Sequence, residues 1–94
     1  MTQKTSMSSA SFRKQAYTIC VINASLQATE EDFVKYFNEH IQAPIEPYNV
    51  RILRVGGYSK GWLYVSFHSE EDMQIALGLH GQSFMDRVMR ISSV

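Results

Sequence analysis

Residues 60–67 constrain the fold more than any other stretch of the chain. Read with the two-residue period of a strand, Leu63, Val65 and Phe67 form an apolar side. The alternate positions carry a cation, two large aromatics and a hydroxyl: Lys60, Trp62, Tyr64 and Ser66. Water is a poor neighbour for large aromatic side chains, so this second side needs a partner. The stretch therefore predicts a strand with one face in the core and the other in a binding surface.

Three further segments have strand patterns. Tyr17 to Asn23 is a β-branched run typical of a buried central strand, in which Ile19 and Val21 face the core. Val50 to Val55 and Arg87 to Ser92 follow later in the chain. Their predicted core positions are Val50, Ile52, Met89 and Ile91. The alternation directs a mixed polar and apolar set to the other face: Thr18, Cys20, Ile22, Arg51, Leu53 and Arg90.

Two helices are predicted from nearly identical starts. Thr29 and Ser69 can each cap a helix, and each precedes a Glu-Glu-Asp triplet that complements the helix dipole. The first helix has a buried stripe at helical spacing, made of Phe33, Phe37 and Ile41 with Val34 alongside. It must end before Pro44. The second helix carries Met73, Ala76, Leu77 and His80 at helical spacing, and Gly81 is its predicted end.

The resulting order is strand, helix, strand, strand, helix, strand, or two βαβ halves that share one sheet. Gly56-Gly57 predicts a tight hairpin between the middle strands, with Tyr58 near its tip. A length of 94 residues leaves room for one domain.

Residues 60–67 resemble the first ribonucleoprotein signature of the RNA-recognition motif (RRM) family. That signature runs Lys/Arg, Gly, Phe/Tyr, Gly/Ala, Phe, Val, any residue, Phe/Tyr. Four positions match literally: Lys60, Gly61, Val65 and Phe67. Trp62 and Tyr64 keep the aromatic character, and Leu63 departs by being larger than the usual Gly or Ala.

The strand from Tyr17 to Asn23 is similar to the family's second signature, which runs aliphatic, aromatic, aliphatic, any residue, Asn, Leu. Three positions fit: Ile19, Val21 and Asn23. Cys20 stands where a stacking aromatic usually lies, and Ala24 replaces Leu. Leu79 to Arg87 is similar to the family's passage into the last strand, so the resemblance covers roughly Tyr17 to Ser92.

The element order and the resemblance together predict an α+β fold of the ferredoxin-like βαββαβ type. We expect a four-stranded antiparallel sheet with two helices packed on one face. The domain should span residues 16–94, with residues 1–15 as a flexible tail. A short basic arm, Arg13-Lys14, is the alternative interpretation of that tail.

The resemblance implies single-stranded RNA binding by the sheet face, in mRNA processing or regulation. Trp62 and Tyr64 would stack bases or sugars, and Lys60 and Arg51 would neutralise phosphates. The remaining candidates complete or border this face: Cys20, Ile22, Leu53, Tyr58 and Arg90. Because a Cys has no π-face, we expect one base platform to be missing and Cys20→Phe to restore it.

The formal charge of zero argues against a generic polyanion binder. Its distribution is directional, because both acidic triplets start helices behind the sheet. Arg51, Lys60 and Arg90 are predicted on the front. We therefore expect a basic, aromatic front and an acidic back that faces water.

A protein-binding module is the alternative function. RRM relatives that bind peptides often lack the sheet aromatics and carry Arg-x-Phe between the second helix and the last strand. Here Gln82-Ser83-Phe84 keeps the Phe but lacks the Arg, and the sheet aromatics remain. The sequence favours RNA, with a protein partner on the helices or sheet as the second possibility.

No catalytic, metal or cofactor site is predicted. Cys20 is the only cysteine, which excludes an intramolecular disulfide and metal sites built on paired thiols. The three histidines lack ligand spacing, and Gly56-Gly57 is not followed by the Gly-Lys-Ser/Thr of a phosphate loop. No apolar run approaches the roughly 20 residues of a membrane span. We expect a non-catalytic monomer without membrane association, in the nucleus or cytoplasm.

Overall fold

The computed structural model describes residues 17–94. The predicted tail and its Arg13-Lys14 arm lie outside the described residues, as does residue 16. In chain order the elements are β1 (Thr18–Ile22), α1 (Glu30–Asn38), a 3-10 turn (Pro47–Asn49), β2 (Val50–Val55), β3 (Tyr58–Ser66), α2 (Glu70–Leu77), β4 (Ser83–Phe84), β5 (Arg87–Val88) and β6 (Arg90–Ser93).

The main sheet has four strands in the order β2-β3-β1-β6, and every neighbouring pair is antiparallel. The long strand β3 and the strand β1 occupy its centre. Both helices pack on the same face, so the predicted ferredoxin-like βαββαβ architecture is confirmed. Gly56 and Gly57 both have positive φ, as a type I′ hairpin turn requires, and join β2 to β3.

The core fills the space between the sheet and the helices. It contains the apolar side of the central strands, as the alternation predicted: Ile19, Val21, Leu63 and Val65. Phe33 and Phe37 of α1 are buried against it. Ile41, by contrast, is only half-buried because α1 ends at Asn38. The Asn38 side chain exchanges two hydrogen bonds with the backbone of Ile45, and Ile45 is the residue that becomes buried.

Both predicted helix caps are present. The Thr29 hydroxyl accepts from the backbone N–H of Asp32, and the Ser69 hydroxyl accepts from that of Asp72. The end predicted for the second helix is wrong: α2 ends at Leu77 and Gly78 is its C-cap. The chain turns early because its backbone already bonds to the last strand region, where the N–H of Gly81 donates to the Met89 carbonyl.

His80 also lies outside α2, contrary to the helical spacing. Its ring Nδ1 accepts the backbone N–H of Ile91 at 2.9 Å. The side chain therefore links the turn after α2 to β6, which gives it a structural contact rather than a place on the helix.

The last predicted strand is divided in two. Arg87 and Val88 pair with Ser83 and Phe84 in a separate hairpin, and the main sheet resumes only at Arg90. The strand is interrupted at Met89, whose N–H donates to the Gln82 carbonyl and whose carbonyl accepts the Gly81 N–H, so that its backbone bonds to the turn after α2. The ring of Phe84 lies 4.5 Å from that of Tyr36 on α1. This contact holds the hairpin against the helix. The inward positions, Met89 and Ile91, are buried as expected.

One member of the second acidic triplet does not face water. Asp72 is 1% exposed, and its two carboxylate oxygens accept the backbone N–H groups of Gln42 and Ala43 at 3.0 and 2.9 Å. The expectation of a wholly solvated acidic back is therefore wrong at this residue. A buried carboxylate is tolerated here because each oxygen has a donor.

Candidate nucleic-acid interface

The exposed face of the sheet is organised by the pairing of β1 with β3. Ile22 lies opposite Trp62, and Cys20 lies opposite Tyr64. The outer strands continue these rows, with Arg51 of β2 opposite Tyr64 and Arg90 of β6 opposite Ile22. Six predicted site residues thus share adjoining positions: Cys20, Ile22, Arg51, Trp62, Tyr64 and Arg90.

The two aromatics keep much of their surface free. Trp62 is 44% exposed and Tyr64 is 37% exposed, while Leu63 between them is 1% exposed. Because successive outward residues of a strand are about 7 Å apart, the two rings form neighbouring surfaces over the centre of the sheet. Ile22 adds an apolar neighbour that is 38% exposed.

The indole of Trp62 lies towards Cys20. Its Nε1–H donates to the Cys20 sulfur, with 3.1 Å between the two heavy atoms. Cys20 is half-buried and is the residue diagonal to Trp62, not the one directly opposite. The indole of Trp62 thus extends towards the position where the resemblance implied a missing base platform.

A bulge separates this centre from the tip of the β2–β3 hairpin. The register shifts between Ile52 and Arg54, and Gly61 adopts a φ of +74° on the facing strand. The Gly61 carbonyl accepts the N–H of Ala24 at 3.0 Å. A Cβ at position 61 would lie 2.8 Å from the Ala24 carbonyl oxygen, so the close approach requires glycine.

Three predicted site residues lie at or beyond the bulge. Lys60 and Leu53 are exposed, but the regular pairing that aligns the central residues does not include them. Tyr58 pairs with Val55 next to the turn and is 78% exposed. The structure therefore brings six of the nine candidates into regular rows and leaves these three towards the hairpin tip.

The cations of β2 and its neighbours fall into two groups. Arg54 donates two hydrogen bonds to the Glu30 carboxylate, at 2.7 and 3.0 Å. The bonds from Arg54 hold the pKa of Glu30 below its usual value. Arg54 is thereby tied to the start of α1, whereas no ion pair with Arg51, Lys60 or Arg90 occurs among residues 17–94.

Arg87, at the start of β5, makes a contact that the sequence did not indicate. Its guanidinium lies 3.5 Å from the side-chain oxygen of Asn23, the residue that follows β1. Asn23 in turn donates to the Val88 carbonyl at 2.8 Å. The contact joins residues that are 64 positions apart, so no local pattern could have indicated it.

Residues 17–94 contain no group of three His, Cys, Asp or Glu side chains that could hold a metal ion. Neither helix of this region has the length and apolar composition that crossing a membrane requires.

The fold and its exposed aromatic face define a ferredoxin-like domain with a candidate surface for unpaired bases. The family model of the RNA recognition motif matches residues 19–90. The chain therefore belongs to the RNA-recognition motif family. No curated protein sequence matches this chain significantly.

Several solved structures are similar to it. The second RRM domain of the yeast poly(U)-binding protein has 22% identity and a TM-score of 0.67, covering 82% of this chain and 92% of that one. The G-rich RNA sequence binding factor 1 from Homo sapiens has 22% identity and a TM-score of 0.69, with coverages of 82% and 78%. RNA recognition domains 1 and 2 of Sex-lethal from Drosophila melanogaster have 28% identity and a TM-score of 0.70, with coverages of 82% and 48%.

Proposed function

We propose that this chain binds single-stranded RNA across the exposed face of its sheet and catalyses no reaction. The observation that carries the proposal is the pair of neighbouring aromatics on β3, Trp62 and Tyr64, 44% and 37% exposed on a face flanked by cations. Unpaired bases stack on such rings in sequence-tolerant fashion, because every base has a π-face.

Arg51 and Arg90 border the aromatic centre on opposite outer strands. Their guanidinium groups can donate to phosphate oxygens on either side of a strand that crosses the sheet. Lys60 at the bulge supplies a third cation. We assign the apolar contact between these charges to Ile22, which is 38% exposed.

A protein-binding role has less support. Phe84, the residue kept from the Arg-x-Phe pattern of peptide-binding relatives, packs on Tyr36 and Phe33 of α1 with ring separations of 4.5 and 5.4 Å. Phe84 therefore contributes to the packing of the β4–β5 hairpin against α1. We further propose a role in mRNA processing or regulation, with the protein acting as a monomer in the nucleus or cytoplasm.

The test is a titration of the folded protein with single-stranded RNA octamers of U-rich, G-rich and mixed sequence. Trp62 is the only tryptophan, so its fluorescence reports the centre of the proposed site. We expect a saturable change with a dissociation constant near the micromolar range. Equal binding of duplex RNA, or no response at several hundred micromolar RNA, would contradict the proposal.

A chemical footprint provides an independent measurement. Cys20 is the only cysteine and lies directly opposite Tyr64. Bound RNA should slow alkylation of this thiol, measured by mass spectrometry. An unchanged rate at saturating RNA would place the binding site away from the sheet centre.

A further inference from the structure

We propose that Cys20 is a positioning residue that holds the Trp62 indole across strand β1. The inference rests on the proposed RNA binding at this face, and it concerns how the stacking surface is built. In this arrangement the indole of Trp62 on β3 extends over Cys20, the β1 position that lacks an aromatic side chain.

The strand register shows that the ring reaches diagonally. The residue directly opposite Trp62 is Ile22, yet the indole Nε1–H contacts the sulfur of Cys20, two residues away along β1. Diagonal neighbours on a sheet face are about 7–8 Å apart, a distance that a large aromatic side chain can span. Trp62 therefore occupies space over both central strands.

The size of Cys20 permits this reach. Its neighbours Ile19 and Val21 are fully buried on the opposite face, so the Cys20 sulfur is the outward group at this point of β1. A phenyl ring at position 20 would take the volume that the indole edge now fills. With the small thiol, the indole fits and still keeps 44% of its surface exposed for a base.

The sulfur also fixes the direction of the ring. A tryptophan on an open sheet can rotate between staggered side-chain conformers. Donation of the indole N–H to Cys20 favours the conformer that lies over β1. Fewer free conformers mean that less ordering is required when a base stacks.

This assignment reverses the expectation drawn from the sequence alone. From the sequence, Cys20→Phe is expected to add an aromatic surface on which one more base stacks and so to tighten RNA binding. On the geometry of the structure we expect the same change to displace Trp62, so that one aromatic surface is exchanged for another. We expect Cys20→Phe to bind RNA no more tightly than the parent.

Three variants at one position test the assignment. Cys20→Ala keeps a small side chain but removes the acceptor of the indole hydrogen bond. Cys20→Ser keeps both the small size and an acceptor. Cys20→Phe fills the space that the indole occupies. The first readout is the indole N–H resonance of Trp62 in an ¹H–¹⁵N spectrum, with its rate of exchange against solvent. The second is affinity for the RNA octamer, and melting temperature controls for the fold.

In Cys20→Ala we expect faster exchange of the indole N–H, a shifted resonance and RNA binding weaker by about 1.4-fold to fivefold, the range of one cross-strand pair. Cys20→Ser should lie closer to the parent in all three measurements. Melting temperatures should change little, because the sulfur is outside the buried core.

An unaltered indole resonance and unaltered affinity in Cys20→Ala would overturn the assignment. So would tighter binding by Cys20→Phe, which would mean that both rings stack independently. If the parent binds no RNA, the proposed function fails together with the role in binding, whereas the indole resonance still shows whether Cys20 holds the ring. Should Cys20→Phe fail to fold, the Ala and Ser pair decides.

Discussion

Trp62 and Tyr64 stand two positions apart on β3, and each offers an exposed ring to the same side of the sheet. Because stacking contributes about 1–3 kcal/mol per base, Trp62→Ala and Tyr64→Ala should each weaken RNA binding by about 5- to 150-fold. Fluorescence anisotropy of labelled RNA measures this for both variants.

The matched control is Tyr48→Ala. Tyr48 is 81% exposed and lies in the 3-10 turn beside α1, away from the paired central strands. RNA affinity and melting temperature should be nearly unchanged in this variant. If Tyr48→Ala lost as much RNA affinity as Trp62→Ala, exposed aromatic residues would contribute to binding wherever they lie on the surface.

The structure also explains why residue 61 is a glycine. Its φ of +74° disfavours any residue with a Cβ, and the added atom would also lie 2.8 Å from the Ala24 carbonyl oxygen. We expect Gly61→Ala to lower the free energy of unfolding by about 2–4 kcal/mol. Urea denaturation followed by circular dichroism measures the change.

Gly57→Ala separates the two causes. Gly57 has a φ of +84° in the hairpin turn, but a Cβ added there would meet no other atom within 4 Å. This variant should lose only about 1 kcal/mol, the cost of the left-handed backbone alone. Equal losses in the two variants would mean that the contact with Ala24 relaxes at no cost.

At the scale of elements, the two helices start with the same three residues but use the last of them differently. Asp72 of α2 is buried and bonds two backbone N–H groups of the loop before β2, whereas Asp32 of α1 bonds back to its own cap residue, Thr29. In Asp72→Asn the side-chain NH₂ group would face one of the two backbone N–H groups. Because both are donors, that hydrogen bond would be lost. We expect a loss of about 1–3 kcal/mol, or roughly 4–24 °C in melting temperature.

Asp32→Asn is the control with the same chemistry at the matching helical position. The side-chain oxygen of an asparagine can still accept the Thr29 N–H, so the loss should stay below about 1 kcal/mol. Thermal unfolding of the pair measures the difference. If Asp32→Asn were the more destabilising variant, the buried bonds of Asp72 would not be what holds the loop.

Strand β2 provides a second matched pair, because Arg51 lies opposite Tyr64 while Arg54 is held by Glu30. Arg51→Gln and Arg54→Gln make the same change in net charge. At roughly 0.1 M salt, losing one phosphate contact should weaken RNA binding by about fivefold, since each contact contributes about 0.7 to the salt slope. We expect this loss for Arg51→Gln and a smaller one for Arg54→Gln; an inverted order would place the phosphate path near α1.

At the scale of the whole molecule, the described region has a net negative charge, although its candidate binding face carries cations. Lys4, Arg13 and Lys14 precede residue 17, which leaves six basic against nine acidic side chains in the described region, a net charge of −3. Three exposed cations, Arg51, Lys60 and Arg90, are the candidates for phosphate contacts. Long-range attraction of RNA is accordingly weak, and stacking must supply much of the affinity.

The dependence of affinity on salt tests this balance. Three contacts at about −0.7 each predict a slope of about −2 for log affinity against log salt concentration. Titrations over a roughly tenfold range of potassium chloride concentration around 0.1 M would measure it. A slope several times steeper would show that cations outside this face, such as those of residues 1–16, make most of the contacts.

Much of this molecule is determined by local patterns in the sequence. The period-two alternation of residues 60–67 separates core from surface correctly, because a strand has only two faces and burial selects the apolar one. The caps at Thr29 and Ser69 act on backbone groups within three residues, so they too are visible in the sequence. These local features were enough to predict the element order and the strand at the centre of the candidate site.

The tertiary structure decided what depends on contacts between distant residues. Of two identical Glu-Glu-Asp triplets, one ends in a partly exposed Asp and the other in the buried Asp72, because only the second meets the loop around Gln42. The strand predicted from Arg87 is divided because the backbone of Met89 bonds to Gly81 and Gln82 and Arg87–Val88 pair with Ser83–Phe84. The small Cys20 is covered because β3 places Trp62 diagonally across from it, 42 residues away in the chain. Spacing along the chain carries no information on such contacts, since they arise only when the folded sheet and helices bring these side chains together.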